Sequence, residues 1–74
     1  MKLRVGSKVL YRGAFGLGEP TVVTVTEIEL CEGPHEKDGE PREEVDMTDV
    51  GRCCLTLDNG HWAYGEQVIK LLKE

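Results

Sequence analysis

The sequence is poor in aromatic side chains. It has one Trp, two Tyr and one Phe in 74 residues. It also lacks any apolar run near the roughly 18 residues that a membrane-spanning helix needs. The opening Met1-Lys2-Leu3-Arg4-Val5-Gly6 has no apolar signal-peptide core behind it, so a cytoplasmic protein without a membrane partner is expected. Cysteine is scarce and odd in number (Cys31, Cys53, Cys54), which argues against a closed disulfide framework. In a strand, Cys53 and Cys54 point to opposite faces and are poorly placed to bridge each other. Three reduced thiols behaving as small hydrophobes are expected. The phosphate-binding Gly-x-x-x-x-Gly-Lys-Ser/Thr pattern is absent, although Gly13, Gly16 and Gly18 make residues 13–20 glycine-rich.

What is present is an ordinary globular balance, 39% hydrophobic and 31% charged, too apolar for a disordered chain. A chain of this length is expected to be one domain, 1–74, with a small core. The net charge of −5 is unevenly spread. Residues 32–49 hold eight acids against Lys37 and Arg42, a local charge of −6, which leaves +1 for the rest. The segment 33–50 is therefore expected to be a long acidic loop excursion on a nearly neutral body. Residues 41–50 are compatible with either a short helical turn or a strand fragment around Val45.

The strand signals are stronger. Val5–Arg12 alternates and predicts a first strand. Thr21–Cys31 is dense in β-branched residues, which suit a pleated surface. Its apolar parity changes between Val23/Val25 and Ile28/Leu30, as a β-bulge would produce. Cys53–Leu57 and His61–Tyr64 flank Asp58-Asn59-Gly60 and predict a hairpin. Gly65-Glu66-Gln67 predicts a single turn before a closing strand at Val68–Leu72.

The order of these elements resembles the SH3-like barrel superfamily, including its KOW-type and Tudor-type relatives. Two stretches carry the likeness. Val5-Gly6-Ser7-Lys8-Val9-Leu10-Tyr11 looks like a KOW-type opening strand. Leu55–Tyr64 followed by Gly65-Glu66-Gln67-Val68 looks like a distal hairpin, a 3₁₀ turn and a closing strand. The resemblance implies an all-β, five-stranded SH3-like barrel with a 3₁₀ turn before the last strand. It implies a binding module rather than a particular chemistry, because function resides in sites.

Several residue sets compete for a function. Tyr11, Phe15, Trp62 and Tyr64 could meet a protein partner, since exposed aromatics give rigid contact area. The hairpin loop decides two of them. A two-residue Asn59-Gly60 loop puts Trp62 and Tyr64 on the core face; a three-residue Asp58-Asn59-Gly60 loop puts them outside with Thr56 and Cys54. The core placement is expected, because a small barrel needs large side chains to fill it. Phe15, on the glycine-rich loop, is the better candidate for exposure.

Lys2, Arg4, Lys8 and Arg12 fall on even positions and could form a positive stripe for a nucleic acid. Charged side chains that guard an edge strand against mispairing explain the stripe as well. Cys31, His35, Cys53, Cys54 and His61 are soft ligands, but only Cys31 and His35 have zinc-like spacing, so no metal or cofactor is expected. A Cys54–His61 pair lacks an orienting group, and no catalytic set emerges. A non-enzymatic module that binds another protein is the expected function, with a KOW-like nucleic-acid module as the alternative.

Overall fold

A computed structural model describes residues 1–13, 17–31 and 39–73. The strands are β1 (Lys2–Arg4), β2 (Lys8–Arg12), β3 (Pro20–Leu30), β4 (Glu40–Arg42), β5 (Glu44–Asp46), β6 (Cys53–Leu57), β7 (Trp62–Tyr64) and β8 (Val68–Lys73). Two 3₁₀ segments, Met47–Arg52 and Gly65–Gln67, precede β6 and β8. The fold is all-β, and every pairing is antiparallel. No helix of the described residues is long and apolar enough to cross a membrane.

The five expected strands are present as β2, β3, β6, β7 and β8. Three short ones accompany them. They form one sheet in the order β7-β6-β3-β2-β8, with β4 also on β3, and a separate β1–β5 ribbon. Among the described residues neither sheet closes on itself, so of the architecture expected from the sequence the strands show the all-β, antiparallel class.

β3 organises the sheet. Its first half pairs with β2, Lys8 opposite Thr24 and Arg12 opposite Pro20. Its second half pairs with β6, Ile28 opposite Leu55 and Leu30 opposite Cys53. The register slips by one residue between Val25 and Glu27, leaving Thr26 as the extra residue of a bulge. This is the parity change visible in the sequence. It lets Val23, Val25 and Ile28 all face the core, although Ile28 is out of phase with the valines. The Thr26 hydroxyl, outside the regular alternation, donates to the Thr56 carbonyl at 3.2 Å.

One apolar cluster joins both halves. Leu3, Val9, Val25, Ile28 and Leu55 are its most enclosed large side chains, with Tyr11, Leu57, Ala63 and Leu71 around them. Val45 belongs to it as well, which corrects the acidic excursion. From Gly39 onward the segment is not a loop. It is β4, β5 and a 3₁₀ segment, with Val45 buried opposite Leu3. Strand and helical turn were alternatives for residues 41–50, and the structure contains both in succession. Asp46 caps the 3₁₀ segment, accepting from the Thr48 backbone N–H and hydroxyl, both at 3.0 Å. These two bonds hold the Asp46 carboxyl below its usual range. Met47 and Val50 then pack on the core.

The hairpin has the longer of the two possible loops. Leu57 N–H donates to the His61 carbonyl at 2.9 Å, so Asp58, Asn59 and Gly60 form a three-residue turn. Gly60 adopts φ +86°, the left-handed position of a bulged hairpin turn. Asp58 is held outside the turn's choice. Its N–H donates to the Thr24 carbonyl at 2.9 Å, and its carboxylate accepts from Thr24 N–H at 3.1 Å. Asp58 thereby extends the edge of β3, and the loop cannot shrink without breaking both bonds.

Candidate functional site

The hairpin register sets what faces out. Cys54 pairs with Tyr64, Leu55 with Ala63 and Thr56 with Trp62. Leu55 and Ala63 are buried, so Trp62 and Tyr64 point outward, 58% and 43% exposed. The core placement expected for these two rings is overturned, because the third loop residue shifts the phase by one. Their ring centroids lie 5.0 Å apart with planes at 84°, an edge-to-face pair.

The outer face continues across the sheet. Glu27 stands opposite Thr56 and Glu29 opposite Cys54. Two cross-strand rows result: Trp62, Thr56, Glu27 and Tyr64, Cys54, Glu29. Pro41 extends the second row from β4. No lysine or arginine stands in either row. Glu27 accepts weakly from the Thr56 hydroxyl at 3.5 Å. Beside these carboxylates, a cleft of about 290 Å³ lies between Val5, the Thr26–Glu29 stretch and Pro41-Arg42. It is at the small end for a small-molecule site, and its cation, Arg42, is paired with Glu40 at 2.9 Å.

Tyr11 does not join this face. It is 7% exposed, on the core side of β2, and its hydroxyl accepts from the Asn59 side-chain amide at 3.0 Å. Burial removes it from the expected aromatic contact set. Phe15 lies outside the described residues.

The expected positive stripe divides. Lys2 and Arg4 sit on β1 and share one carboxylate, Glu44 on β5, each at 3.3 Å. Lys8 and Arg12 sit on β2, where the sheet adds two cations from β8: Lys73 opposite Lys8, and Lys70 opposite Leu10. Lys8, Arg12, Lys70 and Lys73 surround Leu10 and the exposed Val22, with no ion pair to any of the four among the described residues. Lys70 and Lys73 were not candidates from the sequence. Two register shifts along β2–β8 bring them to this face, and no local pattern encodes those shifts.

The thiols separate as alternation requires. Cys53 points inward, buried, with its sulfur 3.6 Å from the Asp49 carbonyl. Burial pushes its pKa up. Cys54 points outward, and its sulfur lies 3.3 Å from that of Cys31. Partial burial, reinforced by the contact with Cys31, pushes the Cys54 pKa up to about 11. His61 stands opposite Leu57, away from Cys54, so the register separates the conceivable Cys54–His61 pair. Among the described residues no group of three or more His, Cys, Asp or Glu is placed to hold a metal ion; His35 lies outside them.

No protein-family model, curated protein or solved structure matches this chain.

Proposed function

We propose that the protein is a non-enzymatic binding module that meets another protein through the outer face of β3, β6 and β7. One observation carries this reading: half of the chain's four aromatic side chains stand as an exposed, mutually packed pair on a regular strand. Exposed rings are costly in water and rich in contact energy at interfaces. Glu27 and Glu29 beside them fit a partner segment that presents Lys or Arg next to an apolar side chain, by charge complementarity and cation–π contact. An SH3-like architecture is part of the proposal. The bent β3 shared between two sheet halves and the 3₁₀ turn before β8 support it.

Trp62 is the chain's single tryptophan, so its fluorescence reports on the proposed face directly. Peptides bearing Lys or Arg beside an apolar residue are expected to change that emission, and Glu-bearing controls are not. A partner that binds wild-type protein and a Trp62→Ala/Tyr64→Ala double variant equally well sinks the reading. Deleting residues 33–50 would be a poor test, because it removes Val45 from the core.

The opposite half of the sheet favours a second reading, a KOW-like nucleic-acid module. Lys8 and Lys73 lie directly opposite each other, an arrangement that costs stability unless an anion sits between them. The cations would be Lys8, Arg12, Lys70 and Lys73, not the Lys2/Arg4 half of the stripe. Binding to single- or double-stranded probes should then weaken steeply with salt and fall in a Lys8→Glu/Lys70→Glu variant. Absence of binding to every probe at low salt eliminates it.

A further inference from the structure

We propose that Cys31 and Cys54 are a thiol-modification site that closes to an intramolecular disulfide when the protein meets a low-molecular-weight disulfide such as glutathione disulfide. The strand register builds the pair. Glu29 is opposite Cys54, and Cys31 N–H donates to the Arg52 carbonyl at 2.9 Å, which extends the β3–β6 ladder by one rung. Residues 29 and 31 share a face, so Cys31 and Cys54 are diagonal neighbours on the outer side. Their sulfurs are 3.3 Å apart. A disulfide needs about 2.05 Å, a closure of little more than about 1 Å, supplied by side-chain rotation together with a small inward shift at the end of β3, since diagonal neighbours start about 7–8 Å apart.

The third thiol is excluded by the same alternation, since Cys53 faces the core. Gly39 completes the site. A Cβ there would lie 2.7 Å from the Glu29 Cβ and 2.9 Å from the Cys31 sulfur, so a bare backbone is what fits beside Cys31.

The chemistry balances as an exchange. The Cys31 thiolate attacks one sulfur of glutathione disulfide, forming a mixed disulfide and releasing one glutathione thiolate. Cys54 then loses its proton to solvent and attacks the Cys31 sulfur. The protein S–S bond forms, the mixed disulfide breaks, and the second glutathione leaves as thiolate. Each released thiolate takes up a proton. Two protein thiols are oxidised and one small disulfide is reduced to two thiols. Because the two sulfurs are adjacent, the exchange balances equally with Cys54 as the first nucleophile and Cys31 as the resolving thiol. The product ties the end of β3 to the start of β6 and closes the chain segment that carries β4 and β5. This chemistry is independent of what binds Trp62 and Tyr64.

The test is intact-mass analysis of the reduced full chain after exposure to excess glutathione disulfide. The expected product has lost two hydrogen atoms and carries no glutathione, and its maleimide-reactive thiols fall from three to one. Cys53→Ala should retain the crosslink. Cys31→Ser and Cys54→Ser should lose it, each accumulating a glutathione adduct on the remaining outward cysteine. If Cys53→Ala does not fold, fragment-ion sequencing of the disulfide-linked peptides from wild-type protein separates Cys53 from Cys54. A wild-type product that stops at a stable glutathione adduct overturns the proposal. So does a Cys53–Cys54 link, or a disulfide-linked dimer as the main species.

Discussion

The two halves of β3 share one core and present opposite surfaces. Around Pro20–Thr24 the outer face carries Lys8, Arg12, Lys70 and Lys73 about an apolar centre of Leu10 and Val22. Around Glu27–Glu29 it carries two carboxylates and the Trp62–Tyr64 pair. The bulge at Thr26 divides them. Without the bulge, with Thr26 kept in the regular alternation, the parity of Val23 and Val25 would run on into Glu27 and Glu29, placing carboxylates in the core and Ile28 in solvent. The bulge therefore absorbs the one residue that breaks the alternation, preserving an apolar interior while two acids stay outward.

Ile28→Asp should break the comparison with the largest effect. It places an unpaired carboxylate at an enclosed core position on the far side of the bulge. A cost of about 5 kcal/mol or more is expected, comparable to the whole stability of a small domain. Far-UV circular dichroism and amide-proton dispersion should show an unfolded chain; a folded variant would mean that the bulge does not turn Ile28 into the core. Next in size come matched truncations in the two halves. Ile28→Ala should cost about 3 kcal/mol, and Val23→Ala about 2 kcal/mol. Both should act on one cooperative urea transition, because the two side chains share one cluster. Two separate transitions would show that the halves are energetically independent.

Surface changes should separate the halves where core changes do not. Trp62→Ala with Tyr64→Ala is expected to cost about 1 kcal/mol, the scale of an edge-to-face pair. Lys8→Glu should shift stability by no more than about 0.5 kcal/mol, and in the stabilising direction if Lys73 is its main neighbour. Equal urea midpoints for wild type and Lys8→Glu would show that the Lys8–Lys73 repulsion is already screened by solvent.

The smallest effect concerns the Asp46 cap. Its carboxyl titrates lower in the folded protein than its usual 3.8, so its contribution is present above about pH 4. That contribution is lost as pH falls through the lowered folded value. Asp46→Asn should narrow the difference between urea midpoints at pH 7 and pH 3, most visibly in hydrogen exchange of the 3₁₀ segment. An unchanged difference would separate the cap from acid stability.

Much of this was legible in the chain. The β-branched run at residues 21–26 and the slipped parity after Val25 announced both β3 and its bulge, since period-2 burial is a local pattern. Asn59-Gly60 announced the hairpin, and Gly65-Glu66-Gln67 announced the turn before β8. The face of Trp62 was not legible. It depends on whether the loop has two or three residues, and Asp58 decides that by bonding Thr24, thirty-four positions away. The acidic stretch misled for a related reason. Charge density suggests solvent, yet Val45 alone anchors β5 beneath Leu3 while its charged neighbours point out.

By itself the sequence determined an all-β chain, a bulged central strand, a glycine-turned hairpin and two cysteines on opposite faces of one strand. Those follow from side-chain shape, alternation and turn chemistry over a few residues. Only the tertiary structure decided which charges became neighbours, which aromatics met solvent and which two thiols met each other. Those depend on strand register, and register is set by hydrogen bonds and packing between segments far apart in the chain. Scarce as they are, three of the four aromatics show the division: Tyr11 went to the core by the alternation of β2, and the Trp62–Tyr64 pair to the surface by one residue of loop length.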